Sequence, residues 1–421
     1  MSFHRPASLS GIYRAEAKIG GFLSALLLSG IAAGLYKGIQ DNFLAEIVHI
    51  DAFGRGITEF FRELPGLFLI LFLAWMYRFS ENRIFKIGMA FMMAGMIGLT
   101  LAGFLPSGFF PSLIGKASVI FLMVLYSCGE HLVMPLKSSL SLYYARGEKG
   151  GASLGVTSAL GFGGNVLGYL IVAIVFIILT RLGFTKYSQF KIIYAFSAFL
   201  MISALLVSQI MRDGELVVKR PRFYFARKFY TYYMLEVFYG ARKQVFITFA
   251  PYVLILNYGA STWVISLLLA ISAVCGFIAS PLIGKLIDYV GYKAVMVGDT
   301  LILIIVCFLY GFSQHLFPMH IAFYVVCVNY VFDAIISVAS MASNMYVKDI
   351  AANQEELTAT ISSGISVNHV ISIIIALCGG MIWKFVGIEL LFSMSAFLGL
   401  LNSLYAATIK VPKKEIGNND K

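Results

Sequence analysis

The chain has 421 residues, of which 59% are hydrophobic and only 13% charged. Soluble domains carry about 25% charged residues, so a chain this poor in charge, with mean hydropathy +0.85, cannot clothe a water-facing surface, and a bilayer is its expected solvent. The net charge of +11 does not point to nucleic acid, because the bases cluster in short segments between apolar runs, as cytoplasmic membrane loops do.

The chain opens on a polar arm with Arg5, Arg14 and Lys18, and the first apolar run begins near Gly20. That run lacks a small-residue cleavage site and continues into Lys37 and Asp41, so it reads as a retained span rather than a signal peptide. A helical span needs about 20 mostly apolar residues. By that rule about twelve are expected, at 20–47, 55–77, 84–104, 113–143, 152–180, 190–211, 229–257, 262–287, 293–313, 319–346, 358–383 and 386–408. These are continuous runs without period-two alternation, which excludes a closed barrel.

Placing the N-terminus inside puts most bases in inner segments. Those are Arg5, Arg14 and Lys18; Arg78, Arg83 and Lys86; Arg146 and Lys149; Arg212, Lys219, Arg220, Arg222, Arg227 and Lys228; Lys285 and Lys293; Lys348; and Lys410, Lys413, Lys414 and Lys421. The outer segments hold Arg55, Lys116, Arg181, Lys186, Lys191 and Lys384. Both termini are therefore expected on the cytoplasmic side, and the outer connection with Arg181, Lys186 and Lys191 fits least well. The sequence divides into an arm (1–19), a first six-helix bundle (20–211), a basic linker (212–228) that can also bind anionic lipid, a second bundle (229–408) and a tail (409–421).

The two halves repeat. Glu130 precedes Tyr143 by the same interval as Asp333 precedes Tyr346, and Asn165 in the fifth span falls on Asn368 in the eleventh at the same offset. "YKGIQDN" in the first span matches "FYGARKQ" in the seventh, aligning Asp41 with Lys243 and Asn42 with Gln244. A nearly constant offset across three span pairs indicates a duplicated six-span unit.

The segment "GKLIDYVGYK" joins the eighth and ninth spans. It resembles the G-x-L-x-D-R-x-G-R-K signature of the major facilitator superfamily: Gly284, Leu286, Asp288, Gly291 and Lys293 match, while Tyr289 and Tyr292 replace the arginines. The corresponding first-half loop, "LAWMYRFSENR", keeps Arg78 and Arg83 but lacks the aspartate. The resemblance implies an all-α integral membrane protein of two pseudo-symmetric six-helix bundles around a central cavity. It also implies that the first, fourth, seventh and tenth spans line that cavity. Gly284 and Gly291 are expected to permit close packing and a sharp turn. Asp288 is expected to be favourable near a helix N-terminus or an arginine, with Gly150, Gly151 and Arg146 as the candidates; a solvated turn acid is the alternative.

Polar residues gather on those four spans. An ionisable group at membrane depth costs several kcal/mol (~2.5–3.5 on insertion scales) unless it is paired or meets water. Lys37, Gln40 and Asp41 share one helix face. Glu130, Met134, Lys137 and Ser141 share another; so do Glu236, Gly240 and Lys243, with Arg242 adjacent; and Asn329, Asp333, Ser337, Ser340 and Asn344 form a stripe. Elsewhere mid-span polarity is sparse: Asn165, Asn368, His369 and Asp299. Two readings stand for Lys37 and Asp41, a shared cavity lining or a private salt bridge. Arg242 and Lys243, with Gln244 beside them, are expected to bind substrate. Glu130, with His131 adjacent, is expected to carry a coupling proton, while Asp333 is expected to be a substrate contact or a partner of Lys243. Arg62 and Glu63 precede Pro65 and Gly66, a kink-prone gate element, or else form a snorkelling interfacial pair. Gly161, Gly163, Gly164 and Gly168 are expected to give close helix packing, or flexibility, where the halves meet.

Two features of drug–proton antiporters of the superfamily are missing. Leu125 stands where the fourth span would carry arginine, four residues before Gly129, and the fifth span has no proline. No G-x-x-x-x-G-K-[ST] occurs, which argues against nucleotide drive, and no H-E-x-x-H is present. The five cysteines lie in apolar segments without metal or disulfide spacing. The expectation is therefore a secondary transporter, not an enzyme, without cofactor or metal. Its partners are a small anionic or zwitterionic solute, a proton or sodium ion and the lipid bilayer, not nucleic acid. It is expected to act as a monomer in a bacterial cytoplasmic membrane. The alternatives are a multidrug or metabolite exporter, or a non-transporting sensor.

Overall fold

In the computed structural model, residues 9–14, 19–76, 78–147, 149–211 and 224–409 are described. The expected arm, linker and tail lie largely outside them, Arg5, Lys18, Lys219 and Lys410 included.

Short polar residues fix where the helices begin. Asp51, Ser80, Ser112, Thr185 and Asn353 each accept, through a side-chain oxygen, the backbone N–H three residues on. A side-chain acceptor there satisfies one of the N–H groups that the first turn leaves open. The resulting helices are α1 (Leu9–Ile12), α2 (Ile19–Glu46), α3 (Ala52–Leu67), α4 (Leu69–Trp75), α5 (Glu81–Ala102), α6 (Leu113–Tyr144), α7 (Gly150–Arg181) and α8 (Lys186–Ser208). They continue with α9 (Tyr230–Leu256), α10 (Thr262–Val290), α11 (Tyr292–Leu316), α12 (Met319–Ser337), α13 (Met341–Ile350), α14 (Gln354–Phe385) and α15 (Ile388–Ala407).

The protein is all-α. Among the described residues, ten helices are long and apolar enough to cross a membrane, α12 and α13 counting as one span, Met319–Ile350. The two remaining expected spans are helical but more highly charged: α3–α4, with Arg55, Glu59, Arg62 and Glu63, and α9, with Glu236, Arg242 and Lys243. The only extended pairing among the described residues is a bridge between Tyr13 and Ala145.

Contacts divide the chain into two units, one of residues 1–220 with 251–274 and the other of 221–250 with 275–421. In the first, most residues of α2 are buried. Its Gly30 and Gly34 lie against Gly161, Gly164 and Asn165 of α7, and Gly168 lies against Ile31 and Leu35. Gly164 and Gly168 thus serve close helix packing inside the first unit. A Cβ on Gly161 or Gly163 would meet nothing. Segment 251–274 joins this unit through three hydrogen bonds: Tyr252 Oη to Ile50 O, Asn42 Nδ2 to Ala260 O and Ser266 Oγ to Tyr169 O, each 2.9 Å.

In the second unit α11 packs on α15, with Thr300 Oγ1 donating to Gly399 O at 3.2 Å and Ser403 Oγ to Val297 O at 3.1 Å. A 3-10 turn, Val338–Ser340, separates α12 from α13. Hydroxyls occupy the carbonyls there: Tyr239 Oη and Ser340 Oγ both donate to Ser337 O, at 3.1 and 2.8 Å. Pro135 lies inside the continuous α6 at the position that the repeat offset maps to Val338.

Candidate functional site

In the first unit, ionisable residues from α2, α3 and α6 form one connected chain of charges. Lys37 Nζ lies 2.6 Å from Glu130 Oε1, so α2 is joined to α6. Asp41 Oδ1 accepts from Arg55 Nε at 2.9 Å, joining α2 to α3. Arg55 Nη1 reaches Glu59 Oε2 at 2.8 Å; Arg62 Nη2 reaches Glu59 Oε1 at 2.5 Å and Glu63 Oε1 at 2.6 Å. Arg62 Nη1 closes the chain at 3.9 Å from Glu130 Oε2. Arg55 and Glu59 are 2% and 0% exposed, a depth at which ions survive only with full pairing. The Arg55 guanidinium also lies over the Tyr252 ring, 5.8 Å from its centroid.

The private Lys37–Asp41 bridge is thus not formed; each residue pairs with a different helix. The snorkelling reading of Arg62 and Glu63 is also corrected. Arg62 is held by three carboxylates, and Glu63 is buried. Arg55, counted above as an outer-loop base, lies within α3. Arg55 and Glu59 were missed as site residues, although their spacing with Arg62 and Glu63 (i, i+4, i+7, i+8) marks one charged helix face. The outer bases that fitted least well are engaged: Lys186 pairs with Glu46 at 2.6 Å, and Lys191 lies 4.4 Å over the Phe104 ring.

His131 does not bond Glu130. Its Nδ1 lies 2.9 Å from Ser127 O, which can only accept, so Nδ1 carries a proton. Ser127 Oγ in turn donates to Arg62 O at 2.5 Å. Gln40 is buried, and Asn165 Oδ1 is buried with no partner among the described residues. Lys137 has no ion pair among the described residues.

In the second unit, Arg242 and Lys243 part company, because adjacent helix positions point about 100° apart. Arg242 is 2% exposed, stacked 5.2 Å over the Tyr239 ring, with Nη1 3.4 Å from Asp299 Oδ2. Of the two expected substrate cations, Arg242 is buried against Tyr239 and Asp299, and Lys243 is half-buried. Lys243 and Asp333 have no ion-pair partner among the described residues, so the expected Lys243–Asp333 pair is not formed.

Glu236 accepts from Ser343 Oγ at 3.0 Å and Asn368 Nδ2 at 3.4 Å. Two other amides are spent on their own helices, Asn329 Nδ2 on Val325 O at 2.7 Å and Gln244 Nε2 on Thr248 Oγ1 at 2.8 Å. Of the loop residues, Gly291 has φ +85° and ψ 152°, a region essentially reserved for glycine. A Cβ on Gly284 would meet nothing, so close packing does not require that glycine. Lys293 Nζ donates to Ile409 O at 3.0 Å. The Asp288 side chain is exposed, as is that of Arg146, whose backbone N–H donates to Ile12 O at 2.9 Å.

The described residues form an all-helical architecture with ten helices long and apolar enough to cross a membrane and ion pairs between helices of the first unit. The family model of the Major Facilitator Superfamily matches residues 233–421. The solved structure of a D-xylose-proton symporter is similar over 93% of this chain and 98% of that one, with TM-score 0.72 and 14% identity. The nucleoside transporter NupG is similar over 92% and 98%, with TM-score 0.69 and 13% identity. A bacterial homologue of the iron transporter ferroportin, in an inward-facing state, is similar over 93% and 99%, with TM-score 0.71 and 11% identity. No curated protein matches in sequence. The chain carries the major facilitator fold along its length and the superfamily's sequence pattern in its second half.

Proposed function

We propose that this protein is a secondary active transporter, moving a small anionic or zwitterionic solute across a membrane by alternating access, coupled to protons. The observation that carries the reading is the Lys37–Glu130 pair. It joins the first and fourth spans, and its side chains are 36% and 24% exposed, within reach of water and solute. Protonation of Glu130 removes the charge that holds Lys37 and frees a cation for an anionic group. Lys137 and Lys243 are two further mid-span cations without ion pairs among the described residues, and they favour negative cargo. The likeness to a proton symporter supports the choice of coupling ion. Monomeric action and cytoplasmic termini belong to the same reading.

The test uses purified protein in proteoliposomes under an imposed pH difference. It is challenged with labelled nucleosides, pentoses, dipeptides and small carboxylates. The expected result is gradient-dependent accumulation of a charged member of the panel. Glu130→Gln should lose accumulation yet keep exchange at equal concentrations on both sides. Accumulation that survives Glu130→Gln would move the coupling to sodium or another acid, and a wild-type protein that moves none of the panel would overturn the reading.

A further inference from the structure

The connection between α10 and α11 departs from the superfamily signature, with Tyr289 and Tyr292 in place of its arginines, and the surface beside it is grooved. One cavity, of about 700 Å³, runs between α11 and the end of α15, walled by Lys293, Val297 and Ala407. A second, of about 340 Å³, runs between α10, α11 and α12, walled by Ile283, Leu286, Ile302 and Ile335. Val290, Ala294 and Gly298 border both, and all three are exposed. Ala294 and Gly298 share one face of α11 at i, i+4 spacing, so the ridge between the grooves is low; a Cβ on Gly298 would meet nothing. The acid on the second wall, Asp299, is paired with Arg242 at 3.4 Å.

The walls are mostly apolar, and polar groups gather at the end where the α10–α11 connection lies. Lys293 has no ion pair among the described residues and gives one of its three ammonium protons to Ile409 O. Gly291 offers the first turn of α11 no side-chain cap, so the positive end of that helix opens at the same place. Tyr289 is 88% exposed, an aromatic ring with a polar tip of the kind that sits at headgroup level, whereas Tyr292 is buried with its ring 5.9 Å from that of Tyr346. Lys285 and Lys293 outnumber Asp288 along this edge. A cationic end that leads into two apolar grooves is the complement of a diacyl lipid with an anionic head. We propose that this face binds one anionic phospholipid, its phosphate on Lys293 and its two acyl chains astride the Ala294–Gly298 ridge. With both termini on the cytoplasmic side, the head lies in the leaflet that holds the anionic lipids. Chains that fill the grooves supply dispersion contacts that bare walls lack. Lipid binding can be read without solute, so it stands or falls apart from transport.

The experiment is native mass spectrometry on the full chain in detergent, titrated with phosphatidylglycerol, phosphatidylethanolamine or phosphatidylcholine of the same chain length. A phosphatidylglycerol with a photoactivatable diazirine in one acyl chain then maps the contact. Wild type should retain one phosphatidylglycerol in preference to either zwitterionic lipid, with the label concentrated on 283–302 and 335–339. Lys293→Gln should weaken phosphatidylglycerol binding about fivefold, and Lys293→Arg should restore it. Gly298→Ile places its side chain in open space and fills the grooves. It should weaken binding without lowering the thermal unfolding midpoint, and it leaves the lysines and the basic linker (212–228) untouched. Size-exclusion profiles show which variants fold; if Lys293→Gln does not, Lys293→Arg and Gly298→Ile decide. Equal retention of the three lipids, native affinity in Gly298→Ile, or label spread evenly over all spans would overturn the site and leave ordinary boundary lipid.

Discussion

Arg55 is the residue on which the first unit's charge chain turns. It satisfies Asp41 on one side and Glu59 on the other, at a depth where neither acid has ready access to water. Removing one partner of a buried pair leaves an uncompensated ion and costs about 3–5 kcal/mol. Arg55→Met should therefore lower the thermal unfolding midpoint in detergent sharply. The double variant Arg55→Met with Asp41→Asn should recover part of the loss, because Arg55 is the ion-pair partner of Asp41 and removing the stranded charge relieves desolvation. Equal losses in the single and double variants would show that Arg55 acts through packing on Tyr252 instead. The residue scale is also where sequence reading fell short. Spacing reveals which side chains share a helix face, but not which neighbouring helix that face meets. Lys37 and Asp41 look like a pair at i, i+4, yet Lys37 meets Glu130 on α6 and Asp41 meets Arg55 on α3.

At the scale of elements, the contact between α2 and α7 depends on missing side chains. A Cβ on Gly34 would run into the Asn165 backbone, and one on Gly168 would meet Ile31 O at 2.5 Å. Backbone cannot yield as a flexible side chain can, so Gly34→Ala and Gly168→Ala should each cost about 1–3 kcal/mol. Gly163→Ala, facing open space, should be neutral or slightly stabilising. Thermal denaturation of the three variants checks this ordering; equal stability in all three would mean that the helices re-space freely. Gly291→Ala should also destabilise, by about 1–3 kcal/mol, through its backbone angles. Helix positions were legible because apolar length and polar caps act locally. The break between α12 and α13 was not, because it depends on Tyr239, a hydroxyl 98 residues away from Ser337.

At the scale of the whole molecule, the second unit holds its own entry strand of chain. Glu356 accepts from Tyr224 Oη at 2.5 Å, Lys228 Nζ at 2.6 Å and the Ala352 N–H at 2.7 Å, while Ser363 Oγ donates to Tyr224 O at 2.6 Å. The hydrogen bond from Tyr224 to this carboxylate pushes the Tyr224 phenol up from its ordinary value. Local opening exposes chain to protease. Glu356→Ala should raise the rate of trypsin cleavage after Arg227; an unchanged rate would mean that the segment is held by Phe229 in the core.

The charge chain of the first unit has an electrical consequence. Lys37, Arg55, Arg62 and Lys137 stand against Asp41, Glu59, Glu63 and Glu130, so the mid-span charges of that unit sum to zero. A membrane potential exerts about 2.3 kcal/mol on each elementary charge per ~100 mV; a neutral block feels almost none of it. Voltage should therefore act on this protein through the acids of the second unit and through any charged solute bound to it. Without solute, a potential imposed at fixed pH should leave the first unit electrically silent.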